Sequence, residues 1–107
     1  MVPVVFDKIL AGGDETAICR ALVEASYDDE TDYDWFEGRC LELMLVHASS
    51  NVRKLAATCL GHVAQHSGRL AEVTVQTLIA HENDPDIRGG VETALDDWRQ
   101  FARSQRE

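Results

Sequence analysis

Two histidines one helical turn apart, His62 and His66, are the first residues whose spacing could do chemistry. At i and i+4 on a helix both rings leave the same face and can reach one metal ion. No acid or cysteine stands at a fixed spacing beside them, so they read as solvent-facing histidines on a polar helix face, and no metal is expected. Cys19, Cys40 and Cys59 are odd in number and far apart, with no Cys-x-x-Cys pair. They read as buried thiols packed as small hydrophobes and not as a disulfide framework. No nucleophile elbow, P-loop or dinucleotide fingerprint is present, and Gly12-Gly13 and Gly89-Gly90 are isolated pairs without phosphate-binding spacing. No catalytic, cofactor-binding or metal-ligating residue is therefore assigned, and no cofactor is expected.

The feature that stands above background is a run of acids set among aromatics. Asp28, Asp29, Glu30, Asp32, Asp34 and Glu37 are interleaved with Tyr27, Tyr33, Trp35 and Phe36, four of the chain's seven aromatics. Residues 1–50 hold eleven acids against three bases, a net of −8; residues 51–107 hold eight against seven, a net of −1; together they make the −9 of the whole chain. Asp32 and Asp34 suit the positive end of a helix, and Phe36 reads as core. Asp28, Asp29 and Glu30 fall in a connection and are expected to cap nothing. An acidic surface carrying aromatic anchors suits a basic protein surface: the rings supply contact area, the charge supplies steering. Asp28, Asp29, Glu30, Asp32, Tyr33, Asp34 and Trp35 are the candidate partner-binding residues.

The elements that must position this run are helices. The 107 residues suit one domain, large enough to bury roughly two-thirds of its unfolded surface. Apolar residues at 45% and charged residues at 27% are globular values, and two prolines with seven glycines argue against a turn-rich sandwich. No apolar run approaches a membrane span, and no basic stretch precedes an apolar leader segment, so a cytoplasmic protein is expected. The net negative charge repels phosphate, which argues against nucleic acid as partner. A short apolar piece, Val4 to Leu10, stops at Gly12-Gly13. Asp14 then caps a helix running to about Tyr27, with Ile18, Ala21, Leu22 and Ala25 inward. Asp32 caps a third, from Tyr33 to about Ala48, bearing Phe36, Cys40, Leu43, Met44 and His47. The fourth carries Val52, Leu55, Ala56, Cys59, Leu60 and Val63 as one stripe and ends at Ser67-Gly68. A fifth runs from about Leu70 to His81. Asp84 is placed to cap a sixth, with Pro85 at its first position and Ile87, Val91, Ala94, Leu95 and Trp98 inward.

A shift of 35 residues superposes Leu43 on Leu78, Met44 on Ile79, Val52 on Ile87, Arg53 on Arg88, Cys59 on Ala94, Leu60 on Leu95 and Val63 on Trp98. One hairpin cannot bury its own apolar face, so copies stack. These residues resemble the HEAT-like repeat family of α-solenoids. The carrying motifs are Asn51-Val52-Arg53-Lys54-Leu55-Ala56-Ala57-Thr58-Cys59-Leu60-Gly61 and Asp84-Pro85-Asp86-Ile87-Arg88, followed by Ala94-Leu95. The likeness covers residues 35–100. It implies an all-α fold, a short stack of three hairpins: 1–32 as a degenerate cap with the acidic connection, 33–67 and 68–107 as repeats. The period is shorter than the usual ~40–47 residues. Gly89-Gly90 costs about 1 kcal/mol per glycine in a helix relative to alanine, and implies a close backbone contact there.

In HEAT-like repeats the recurrent arginine pairs with an acid of a neighbouring repeat, which makes Asp84 and Asp86 the expected partners for Arg53 and Arg88. HEAT-like hydroxylases hold iron through repeated His-Glu pairs; the single His81-Glu82 pair cannot, and reads as the charged end of the fifth helix. Small acidic HEAT-like chains are similar to bacterial immunity proteins that neutralise a cognate toxin. The likeness implies a non-enzymatic inhibitor, with the acidic surface covering a basic toxin site such as a nuclease's. The alternatives are a HEAT-like scaffold or adaptor and, in third place, a lyase-type or hydroxylase-type enzyme.

Overall fold

Local chemistry sets most of the helix ends. The computed structural model describes the backbone of residues 1–106 and the side chains as far as residue 101; Glu107, the last residue of the expected third segment, lies outside the described residues. It contains α1 (Pro3–Gly12), α2 (Glu15–Tyr27), α3 (Tyr33–Val46), α4 (Ser50–Ser67), α5 (Glu72–Ala80) and α6 (Arg88–Arg106), with no strand among the described residues. Pro3 opens α1, where its missing N–H costs nothing. Asp14 accepts a hydrogen bond from the Thr16 N–H at 3.3 Å and so starts α2. Asp32 accepts from the Asp34 and Trp35 N–H groups at 3.1 and 3.3 Å and starts α3. Ser49 does the same for Val52 at the head of α4. Gly13 and Gly68 end α1 and α4 in the left-handed conformation, with φ of 73° and 75°.

Two boundaries differ from expectation. α3 ends at Val46, and half-buried His47 takes its C-cap position. α6 begins at Arg88, one turn later than Asp84 and Pro85 suggest. Asp84 still acts as a cap, but of a tight turn: its side chain accepts from the Asp86 N–H at 3.0 Å, and its carbonyl from Arg88 at 2.8 Å. His81 is the C-cap of α5, so its ring and Glu82 lie beyond that helix.

The helices form two rows. α4 lies between α2 and α6 and packs along both, and α3 packs along α4. α1 joins α2, and α5 joins α6. α1 reaches α3 where Phe6 meets Trp35 and Phe36 edge-on at 5.3 and 6.0 Å. Asp7 and Arg39 add a two-pronged ion pair at 3.0 and 3.1 Å. α3 reaches α5 through Glu37, whose Oε2 accepts from the Ala71 N–H at 3.0 Å and the Thr74 hydroxyl at 2.6 Å. The result is a slab of 42 × 32 × 18 Å, about two helix diameters thick. One continuous core fills it, with Phe6, Phe36, Ile18, Leu22, Met44 and Leu60 among its largest buried side chains. No helix among the described residues is long and apolar enough to cross a membrane.

The 35-residue pairing holds at Val52/Ile87, Cys59/Ala94, Leu60/Leu95 and Leu43/Leu78, all buried. It fails at Met44/Ile79, where Met44 is buried and Ile79 exposed. Arg53 binds the Met44 carbonyl at 2.8 Å, Asp84 at 3.1 Å and Asp86 at 3.5 Å, as expected. Among the described residues Arg88 pairs with Glu92 on its own helix at 3.1 Å and not across hairpins. The close contact expected at Gly89-Gly90 is real at Gly90. A Cβ there would lie 2.4 Å from the Lys54 carbonyl oxygen and 3.1 Å from Ala57 Cβ.

Candidate functional site

The acidic connection is tied down at its first residue. The Asp28 carboxylate pairs with the Met1 ammonium, and its Oδ1 accepts from the Glu30 N–H at 3.0 Å. Asp28 thus has a structural task that its position in a connection does not suggest. The ammonium beside it and the Glu30 N–H hold its carboxyl below the ordinary aspartate value. The Asp28 carbonyl accepts from the Thr31 N–H at 3.0 Å and from the Tyr33 hydroxyl at 3.1 Å. Buried Thr31 donates its hydroxyl to the Ala25 carbonyl at 2.8 Å. Asp29 and Glu30 stay exposed, and Asp34, with 81% of its side chain accessible, pairs with Arg69 at 3.6 Å. Asp32 is occupied as the cap of α3.

The two candidate rings turn opposite ways, because residues i and i+2 lie on different sides of a helix. Trp35 leans on α1, edge-on to Phe6, and packs against the core. Tyr33 faces α4, where its ring stacks on His66 with centroids 5.2 Å apart and planes 8° from parallel. Burial raises the Tyr33 hydroxyl pKa, and the Asp29 and Asp28 charges raise it further. Six of the seven candidate residues therefore gather on the α2–α3 connection and the exposed start of α3, and Trp35 sits at the seam with α1.

Of the two histidines His66 is exposed, as expected, and His62 is not. His62 is half-buried, and its Nδ1 lies 3.0 Å from the Ser26 hydroxyl. That hydroxyl donates to the Val23 carbonyl at 2.9 Å, so it accepts from Nδ1–H. The neutral ring then offers Nε2 as acceptor to the Tyr27 hydroxyl at 3.4 Å. Tyr27 lies tilted against His62 at 4.8 Å and edge-on to His66 at 6.4 Å. The nearby Cys59 side chain raises the His62 pKa, and the Asp97 charge acts the same way against partial burial. Among the described residues no three His, Cys, Asp or Glu side chains converge as a metal site would require. All three cysteines are free; Cys40 and Cys59 are sealed in the core and Cys19 is half-buried. Burial pushes the Cys40 thiol well up, while the neighbouring Cys40 and His62 lower the Cys59 thiol.

Tyr27, His62 and His66 are not among the seven candidate partner-binding residues, although the histidine spacing and the aromatic run single them out. A signal existed: Tyr27 and His62 are separated by the same 35 residues that relate the hairpins.

No family model matches the sequence, and no curated protein matches it significantly. Among solved structures, the chain is similar to one in the crystal structure of a CDI complex from Cupriavidus taiwanensis LMG 19424. The two share 27% sequence identity with a TM-score of 0.78, over 94% of this chain and 90% of that one.

Proposed function

We propose that this chain is a cytoplasmic immunity protein: it binds and neutralises a cognate toxin of a contact-dependent inhibition system and performs no catalysis of its own. The observation that carries the reading is the near full-length likeness to a chain of a CDI complex, in sequence as well as in fold.

On this reading the toxin meets the side formed by Asp28, Asp29, Glu30, Asp32, Tyr33, Asp34 and Trp35, and presents a basic surface such as that of a nuclease. The concentration of negative charge in the first fifty residues supports that choice. The three hairpins are read as HEAT-like repeats over residues 1–32, 33–67 and 68–107. The matched burial of Val52 with Ile87 and of Leu60 with Leu95 supports that reading.

The test is to look beside this gene for a toxin-encoding neighbour and to co-express the chain with that toxin domain. Growth should be restored, and the purified pair should elute as one stoichiometric complex. A toxin that kills equally in its presence, with no complex formed, overturns the reading.

A further inference from the structure

Where the end of α2, the start of α3 and the second half of α4 meet, four rings form a pad at the surface. Tyr27, His62, His66 and Tyr33 come from three different helices and touch in sequence. Tyr27 is 59% exposed, and Val23, one turn earlier on the same face of α2, is exposed beside it. An aromatic ring left in water is ordinarily free to move, yet the Tyr27 hydroxyl is held by His62 Nε2, and His62 is held by Ser26. The ring is thus fixed in place before any ligand arrives, which reduces the entropy cost of binding.

The surroundings of the pad define its complement. Asp28, Asp29 and Glu30 follow Tyr27 directly in the chain. On the other side Asp97 of α6 rests on Gly61, next to His62: a Cβ at Gly61 would lie 2.5 Å from its Oδ2. Ring faces carrying partial negative charge, with carboxylates at the border, attract a cation and repel phosphate. Guanidinium matches better than ammonium, because it is planar, lies flat on a ring and sends N–H groups outward to carboxylates.

We propose that this pad is an arginine-binding surface for a basic protein partner, with the guanidinium laid on the Tyr27 ring and its N–H groups turned to Asp29 and Glu30. The inference rests on the reading of this chain as a protein-binding inhibitor, and adds the chemistry by which the partner is recognised.

Capped tetra-arginine and tetra-lysine peptides are titrated into the full-length protein at low salt and about pH 8, above the ordinary imidazole range. Binding is followed by the NMR signals of the tyrosine and histidine rings. The arginine peptide should shift the Tyr27 and His66 signals and bind at least about threefold more tightly than the lysine peptide. Tyr27→Ala should abolish that preference and Tyr27→Phe should keep it, with thermal melts confirming that both variants are folded. Equal affinity for the two peptides overturns the proposal, as does a preference that survives Tyr27→Ala, or shifts confined to other parts of the protein. Protection against the toxin is scored separately. A parent chain that fails to protect removes the immunity reading and leaves the peptide result in force. A Tyr27→Ala variant that protects as well as the parent overturns the arginine proposal alone.

Discussion

Helix α4 has two long neighbours, and the two seams are built on different chemistry. Towards α6 the seam is dry and close. Gly61 and Gly90 bring the backbones together, Ala57 and Ala94 fill the remaining gaps, and Leu60 and Leu95 are buried beside them. Towards α2 the seam is polar: Ser26, Tyr27, Cys59 and His62 meet through hydrogen bonds and ring contacts. A seam of small residues has little slack: an added Cβ would meet the Lys54 carbonyl at Gly90, and the Asp97 carboxylate and Ala94 backbone at Gly61. A polar seam can hold groups at its rim that remain open to another molecule. The fold is secured on one side of α4, and chemistry is displayed on the other.

The largest expected effect breaks the dry seam. Leu60→Ala and Leu95→Ala should each lose about 2–5 kcal/mol in denaturant unfolding, as for other buried leucines. A loss below about 0.5 kcal/mol at both would remove the equivalence of the two positions. Gly90→Ala comes next. Its Cβ would meet the Lys54 carbonyl, and overpacking of this kind costs about 1–3 kcal/mol. A neutral or stabilising result would show that α4 and α6 slide apart freely, and the contrast between the seams would fall.

On the polar side, charge reversal should act on binding far more than on stability. Asp29, Glu30 and Asp34 are exposed, whereas Asp28 holds the Met1 ammonium and is left unchanged. Lysine at those three positions should slow association with the toxin about tenfold at low salt, a size typical of lost steering. The melting temperature should fall only slightly, through the loss of Asp34 at the positive end of α3. Unaltered association rates would mean that the acidic connection is only a solvated loop, and that the partner docks elsewhere.

The smallest effect concerns the N-terminal ends of α2 and α4. Glu15 accepts hydrogen bonds from Asn51 at 2.9 Å and Ser49 at 2.8 Å, and these bonds hold its carboxyl below the ordinary value of 4.5. A lowered folded-state pKa contributes stability above the unfolded value that is lost as pH falls through the folded one. Thermal melts should therefore drop on acidification below pH 4.5, and Glu15→Gln should flatten part of that slope. An identical slope in the variant would assign the acid sensitivity to other carboxylates.

Much of the fold was legible because its signals are local. Asp14, Asp32 and Gly68 act within one turn of themselves, so capping chemistry places those ends from sequence. Two misses concern the equivalence of the hairpins. Met44 lies on a helix with neighbours on both sides; Ile79 lies on the last helix of its row, and its outer face meets water. Arg53 finds Asp84 and Asp86 in the turn between α5 and α6, whereas Arg88 pairs within its own helix, with Glu92. The candidate surface was legible only as composition. That Asp28 binds Met1, that Trp35 turns inward and that Tyr27 meets His62 all depend on docking between segments distant in the chain. Periodicity along one helix carries no record of such contacts.

The Glu37 carboxylate has a consequence for the order in which the protein assembles. α5 is only nine residues long, and no side-chain cap of its own starts it. Glu37, an acid belonging to α3, accepts from the N–H of its N-cap residue Ala71 and from the Thr74 hydroxyl in its first turn. A helix this short is marginal in isolation, so α5 is expected to order late, after α3 has presented its carboxylate. In hydrogen-exchange terms the Ala71 and Thr74 region should open together with the tip of α3 and not as an independent unit. A charge on one hairpin thereby makes the cooperativity of the whole slab depend on the arrival of its last short helix.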